Sequence, residues 1–387
     1  MTDRVEYVVV GLGALGSATA YALARRGAAV VGLERYELGH HRGASHDSSR
    51  ILRHSYHTPG YVRLTFEAYR DWADLERAAG ESFVTTVGGL DLFPPDAAIP
   101  AVDYVDSLRA CDVDYEQLDV GDVAARWPQF ALPAGTTALY QKRAAIVPAA
   151  RGTAAMQRLA RAFGAVLRDR SPVLAIRDLG AGGVEVESTD RTYLADRVVV
   201  CADAWTNDVL SGLDHRLPLT VTQEQASYFA PTEPERFAPG QMPLWIWMDD
   251  PSFYGFPCYG EATVKAAQDC GGPPVTGDGR SFERDAEREA LLAAFMARML
   301  PGSGRPVRSL SCLYTLTPDR DFVLGPVPGH ESVVVGLGAG HGFKFAPTFG
   351  RLLADLARAG ETPVDLSAYA LDRAALTDEH APVSWLV

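Results

Sequence analysis

The sequence predicts a two-domain α/β protein with a Rossmann-type dinucleotide-binding unit at its N-terminus. Three observations carry this. A chain of 387 residues exceeds what one ordinary hydrophobic core accommodates, so two domains are expected. The first thirty-odd residues read strand, glycine turn, helix, strand, closed by an acid. A second strand, glycine loop and helix recur near the C-terminus.

In "EYVVVGLGALGSATAYALARRGAAVVGLER", Tyr7 to Val10 are aromatic or β-branched, Ala14 to Arg26 have helical composition, and Ala28 to Leu33 are apolar again. That is a βαβ unit. Gly11, Gly13 and Gly16 form GxGxxG, and Glu34 closes the second strand eighteen residues after Gly16. Gly11 permits the tight turn, Gly13 lets backbone approach a pyrophosphate at the positive helix end, and Gly16 brings helix close to strand. A Glu34 carboxylate accepts hydrogen bonds from ribose hydroxyls and repels a 2'-phosphate.

Further on, "GGVEVESTDRTYLADRVVV" has the alternation of a β-hairpin, with a turn at "STDR", and "YLADRVVVCADAWTNDVL" is a buried strand entering a helix. Residues 269 to 281, "DCGGPPVTGDGRS", are the most loop-like segment. "SVVVGLGAGHGFKFAPTFGRLLADLA" repeats strand, glycine loop and helix, but no strand ending in an acid follows. It is expected to be a loop laid against the far end of the first site's dinucleotide.

Composition narrows the function. With 47% hydrophobic and 22% charged residues the chain is globular. No segment approaches the ~18 to 20 apolar residues of a membrane span, and no leader pattern opens the chain, so a cytoplasmic protein is expected. A net charge of −13 without a basic run disfavours nucleic acid. Five cysteines, Cys111, Cys201, Cys258, Cys270 and Cys312, are odd in number and lack metal-ligand spacing, which argues against a disulfide framework and against a metal site. Only three of the 36 basic residues are lysines: Lys142, Lys265 and Lys344. Lys344, in "GHGFKF", stands between glycines and aromatics, an unusual place for a solvated side chain.

GxGxxG, "SHDSSRILRHSY", "YGFP", "SCLYTLTPDRDF" and "GHGFKF", in this order and spacing, resemble the monomeric sarcosine oxidase and N-methyltryptophan oxidase family, flavin amine oxidases of the glycine/D-amino-acid-oxidase-like superfamily. The resemblance runs over nearly the whole chain. It implies a Rossmann-type FAD-binding domain, from residues 1–85, 150–215 and 305–387, interleaved with a mixed-sheet substrate-binding domain from 86–149 and 216–304. The implied reaction is oxidation of a secondary or cyclic amino acid by hydride transfer to FAD, giving an imine, with dioxygen reduced to hydrogen peroxide. A monomer acting on a small amino acid is implied.

The same resemblance assigns residues. Cys312 matches the cysteine that joins FAD through a thioether, a bond made by the thiolate. Arg308 is the nearest cation in sequence. Arg53 and Lys344 match the pair that holds the substrate carboxylate by charge-assisted hydrogen bonds; such a positive site favours the substrate's neutral amine. Lys265, in "TVKAAQD", matches the lysine beside the flavin where dioxygen is reduced, a fixed cation for an anion that forms there. Arg50 and His46 are expected beside the flavin, with Ile51; Tyr254 and Tyr314 line the substrate cavity; Val173 meets the adenine. Ala14, Leu15, Arg35, Ala202, Trp205, Gly340, His341, Gly342 and Phe343 complete the expected cofactor contacts. No general base is assigned, because an amine bound neutral needs none.

The pattern is broken at several places. Asp269 stands where the family carries histidine, Asp203 where it carries glycine, and "HDSS" replaces a Gly-Asp pair. Trp245 and Trp247 alternate in "MPLWIWMDD" and share one strand face, toward either an enlarged aromatic pocket or the core. Three other readings remain: a biosynthetic oxidase of an imine, cyclic or carrier-bound amino acid, which would keep most of these motifs, a flavin dehydrogenase with another electron acceptor, which Lys265 disfavours, and a non-catalytic nucleotide-binding module, which would need neither Cys312 nor both lysines. The substrate's identity is left open at this point.

Overall fold

The computed structural model describes residues 2–384. The first eight-stranded sheet is assembled from distant parts of the chain. Thr2–Val10 lies at its centre, parallel to Thr192–Val200 on one side and to Val30–Leu33 on the other, with Val166–Arg168 beyond. These strands are valine-rich because both faces are buried. The helix Ala14–Arg25 packs on one face against Ala149–Ala162 and Ala346–Ala359. Val8, Val10, Val198 and Val200 bury their side chains on the other.

The expected hairpin forms: Val184–Ser188 pairs antiparallel with Thr192–Val200. The second glycine segment gives the strand His330–Leu337, parallel to Thr192–Val200, then a single tight turn Gly342–Phe345 and the helix Ala346–Ala359. Residues 269–281 cross the molecule as loop, with one isolated bridge at Pro274.

The second eight-stranded sheet runs Arg305–Leu316, Thr220–Ala230, Val264–Gln268, Phe253–Phe256, Leu244–Trp247, Gly89–Phe93, Thr137–Gln141 and Glu116–Leu118. It is antiparallel except where Leu244–Trp247 meets Gly89–Phe93. The helix Ala286–Met299 covers its outer face through Leu292, Phe295 and Met296. Trp245 and Trp247 are buried in that layer against Phe295, so the alternation marks the core face and only Ile246, between them, looks into the cavity. A small sheet of Arg50–Leu52, Ala145–Val147 and Thr85–Thr86 lies between the two large ones. Among the described residues no helix is long and apolar enough to cross a membrane.

Candidate active site

Two adjoining cavities run between the sheets, sharing Gly13, Ala44, Ser45, His46, Cys201 and Asp203. At one end, the strand Thr2–Val10 turns sharply into the helix Ala14–Arg25. Gly11 takes φ +85°, and a Cβ there would sit 2.5 Å from the Cys201 carbonyl oxygen. A Cβ on Gly16 would lie 1.8 Å from the Gly11 oxygen, so Gly16 sets the approach of helix to strand and lines neither cavity. Leu12 N donates to Glu34 Oε2 at 2.8 Å and Tyr36 N to Oε1 at 3.1 Å, while His40 Nε2 lies 3.3 Å from Oε1. Burial works to raise the Glu34 carboxyl, but these partners outweigh it and hold it below its usual range. Arg35, Val173, Ala202 and Trp205 line this end with Glu34, and Ala14 and Leu15 face the other cavity. The shape and donors suit a dinucleotide, with the helix N-terminus at its middle. Two contributors escaped the sequence reading: Ser45 Oγ accepts from Ala14 N at 2.9 Å, and Gln157 Nε2 donates to Leu12 O at 2.9 Å.

The other end gathers Cys312, Arg50, Ile51, Lys265 and Phe343. Cys312 sits on Arg305–Leu316, in the second sheet. Burial pushes its thiol up to about 11, with Arg50, Lys265 and Arg280 pulling the other way. Arg308 is not beside it: its guanidinium lies over the Tyr228 ring at 3.4 Å and pairs with Glu261. The two share a face of the strand, but four residues of extended chain separate them by about 13 Å. Arg50 donates to Ser49 O at 2.8 Å and to Ala44 O and His46 O at 2.9 Å, which fixes its charge in the wall. Burial lowers His46 to about 3, so its ring is neutral and its Nε2 has no protein partner.

Lys265 enters from Val264–Gln268 and gives Asp47 Oδ2 a contact of 2.5 Å. Burial, aided by Arg50, lowers the lysine to about 8 against the pull of Asp47. Asp203 also holds a left-handed φ, +47°, and burial raises its carboxyl to about 6 where the two cavities meet.

Beyond this lies a charged chamber. Lys344 is buried; its Nζ donates to His341 O at 2.7 Å and lies 5.5 Å from the Tyr56 ring centre. Its backbone carbonyl is held by Trp72 Nε1 at 2.7 Å. Burial first, then Arg53 and Arg320, depress the Lys344 ammonium well below its ordinary range. Arg53, also buried, is ion-paired with Asp91, an acid that the sequence reading did not single out. Asp269 accepts from Arg320 Nη2 at 2.8 Å; it faces the cavity, not solvent. Tyr254 and Tyr314 approach OH to OH at 3.4 Å, Gly340 packs against the Tyr314 ring, and His341 and Gly342 line the same cavity. Burial, with Lys344 and Arg320 nearby, keeps His341 far below its usual range and hence neutral.

Asp91 had a signal: a charge inside the apolar strand Gly89–Phe93, all of whose residues are buried. Such an acid needs a partner. Arg320 lay inside "TPDRDF", but its partner Asp269 is 51 residues away.

With this geometry established, comparison with known proteins is specific. The family described as FAD dependent oxidoreductase matches residues 6–356. The chain is 35% identical to a monomeric sarcosine oxidase of Streptomyces avermitilis, over 94% of this chain and 96% of that protein. It is 28% identical to N-methyl-L-tryptophan oxidase of Escherichia coli O157:H7, covering 96% and 99%. The solved structure of NikD, described as an unusual amino acid oxidase essential for nikkomycin biosynthesis, superposes in its open form with a TM-score of 0.86 at 30% identity, covering 95% of this chain and 98% of NikD.

Proposed function

The chain belongs to the family of FAD dependent oxidoreductases, and from that premise we propose that its substrate is a cyclic amino or imino acid with a free carboxylate. As in its relatives, the reaction is FAD-dependent oxidation of an amino-acid C–N bond with dioxygen as acceptor. The residues present fit the cofactor: the open backbone at Gly11, the Glu34 carboxylate and the helix N-terminus suit its nucleotide half, and Arg50, Lys265 and Cys312 surround the space for its ring. FAD, when bound, supplies the ring that accepts two electrons from the substrate and returns them to dioxygen. Cys312, which lines that space, is the residue to which we assign a thioether tether.

The substrate reading rests on the charges of the chamber. Arg53, Arg320 and Lys344 bring three positive charges, and Asp91 and Asp269 two negative ones. The excess of one matches a single carboxylate. Lys344 has no carboxylate partner among the described residues, and Arg53 retains donors, since a guanidinium has five N–H groups. A carrier-bound amino acid has its carboxyl tied up as a thioester and would leave this charge unmatched, which favours the free acid. Asp269 is an anion in the cavity wall, held by Arg320 at 2.8 Å. It offers an acceptor to the amine N–H that cyclic and N-methyl amino acids share, so it serves either class. Tyr254 and Tyr314 line the cavity, and this aromatic wall, which offers a ring more apolar surface to cover than an N-methyl group can use, is the observation that carries the proposal. Lys344 and Arg53 orient the acid, and Lys265 supplies a fixed cation on the side where dioxygen is reduced.

The test is peroxide production in air from sarcosine, N-methyl amino acids, proline, pipecolic acid and the cyclic imines of the last two. A kcat/KM at least about tenfold higher for the cyclic set, ~1.4 kcal/mol of transition-state binding, is expected. Equal or better turnover of sarcosine overturns the substrate class.

A further inference from the structure

We propose that Asp47 is the fixed counter-ion of Lys265, holding the lysine as an ammonium inside the cavity and aiming it from the turn before Arg50–Leu52. The functional consequence rests on the oxygen role given to Lys265 above; the ion pair itself does not.

Asp47 occupies a backbone position that few residues accept. Its φ is +80°, a left-handed conformation that costs most L-residues energy and that glycine, asparagine and aspartate tolerate best. The turn is pinned by Ala150 N, which donates to Asp47 O at 3.0 Å. From it the carboxylate points inward, with both oxygens engaged. Oδ1 accepts from Ser48 N at 2.7 Å and from the Tyr228 hydroxyl; Oδ2 accepts from Lys265 Nζ at 2.5 Å.

The lysine is equally committed. Its Nζ donates to Asp47 Oδ2, to Ser49 O at 3.1 Å and to Ser49 Oγ at 3.3 Å, which accounts for the three protons of an ammonium. A neutral amine has two donors, and would keep all three contacts only if the Ser49 hydroxyl turned to donate to it. The two side chains are 5% and 8% exposed, so solvent screens the pair little.

Every packed element contributes a charge or a dipole. Arg50 Nη1 lies 3.9 Å from Asp47 Oδ2. Tyr228 comes from Thr220–Ala230 with Arg308 over its ring, Cys312 from Arg305–Leu316, and Phe256 lies 5.1 Å from Nζ. His46, next in the turn, is neutral. Without Asp47, Lys265 would face Arg50 alone in a buried site, where burial and a like charge both favour the neutral amine. With Asp47, the three groups carry one net positive charge.

The experiment exploits composition: only three lysines are present. Holoenzyme labelled with carbon-13 at lysine Cε is titrated by NMR, and Lys265→Met identifies the Lys265 resonance. In wild type this resonance is expected to titrate near pH 8. Asp47→Asn should lower its midpoint by roughly 1 to 3 units, and leave the exposed Lys142 unmoved. Asp47→Gly, which relaxes the left-handed turn and so retains the fold, should do the same. The pH profile of reoxidation by dioxygen should move down with the lysine, slowing it roughly tenfold at pH 7.5. A Lys265 midpoint that stays in place in both variants overturns the proposal. A moved midpoint with unmoved reoxidation sustains the counter-ion and removes the oxygen role of Lys265 instead.

Discussion

Arg320 Nη2 donates to Asp269 at 2.8 Å in the wall of the chamber that Lys344 also enters. The arginine is almost fully buried, and the acid keeps one edge toward the cavity. This anion therefore does not simply lower the local charge. It arrives with a cation that the substrate must also accommodate.

Replacing Asp269 by Asn should separate those effects. The variant keeps an amide acceptor but loses the negative charge that strengthens a bond from the substrate N–H, and it leaves Arg320 without this carboxylate. The expected outcome is a fall of about tenfold or more in kcat/KM for cyclic substrates, of the size one charge-assisted hydrogen bond contributes. Amines bearing two carboxylates should gain affinity. Steady-state peroxide assays on both classes read the crossover.

Arg53 and Asp91 form the more deeply buried pair, with side chains 6% and 4% exposed. Asp91→Ala strands a guanidinium away from water, and loss of one partner of such a pair costs about 3 to 5 kcal/mol. Equilibrium unfolding of the flavin-free protein in urea should show that loss. Asp91→Asn, which keeps an acceptor oxygen, should lose less.

Lys344 predicts a pH dependence of binding. Its ammonium is depressed by burial and by Arg53 and Arg320, so in the free enzyme it gives up its proton at a lower pH than an ordinary lysine. An arriving carboxylate favours the charged form and raises that value. Binding should therefore take up a proton between the free and bound midpoints, and affinity should fall as pH rises through this window. Calorimetry of a substrate-like acid in buffers of different ionisation enthalpy measures the uptake. Lys344→Arg, charged throughout, should abolish it.

Cys312 predicts the behaviour of the tether. Cys312→Ala should release FAD into the supernatant on acid precipitation, whereas the wild-type pellet stays yellow. Because burial raises the thiol to about 11 and the thiolate is the nucleophile, attachment to flavin-free protein should accelerate with pH toward that value. Arg50, the cation that most opposes the rise, should slow attachment when replaced by leucine. Absorbance of denatured, washed protein over time follows the reaction.

The nucleotide end was legible because its parts are neighbours in the chain. Gly11, Gly16 and Glu34 lie within one βαβ unit, and the Glu34 contact to Leu12 spans only 22 residues. The charged pairs were not, because each joins segments far apart in the chain. Arg53 finds Asp91 38 residues away, and Lys265 finds Asp47 across 218. A sequence shows each charge but not which ones a sheet brings face to face. The tryptophans make the same point: alternation at Trp245 and Trp247 revealed a shared face, but the helix Ala286–Met299, not the alternation, decides that this face is the core. At Asp47 the sequence showed only a departure from a Gly-Asp pair; that its left-handed φ points the carboxylate at a lysine is a property of the folded turn.

Anaerobic reduction of the bound FAD, followed by its absorbance, tests the central claim most directly. Wild type and Lys344→Met are each mixed with pipecolic acid, its cyclic imine and sarcosine. The account predicts rapid bleaching of wild type by a cyclic acid, slower bleaching by sarcosine, and a loss of about a hundredfold or more in kcat/KM for the cyclic acid in Lys344→Met, the ~3 kcal/mol of a buried charge-assisted contact. Bleaching by sarcosine alone, or a Lys344→Met enzyme as fast as wild type at low substrate, would contradict it.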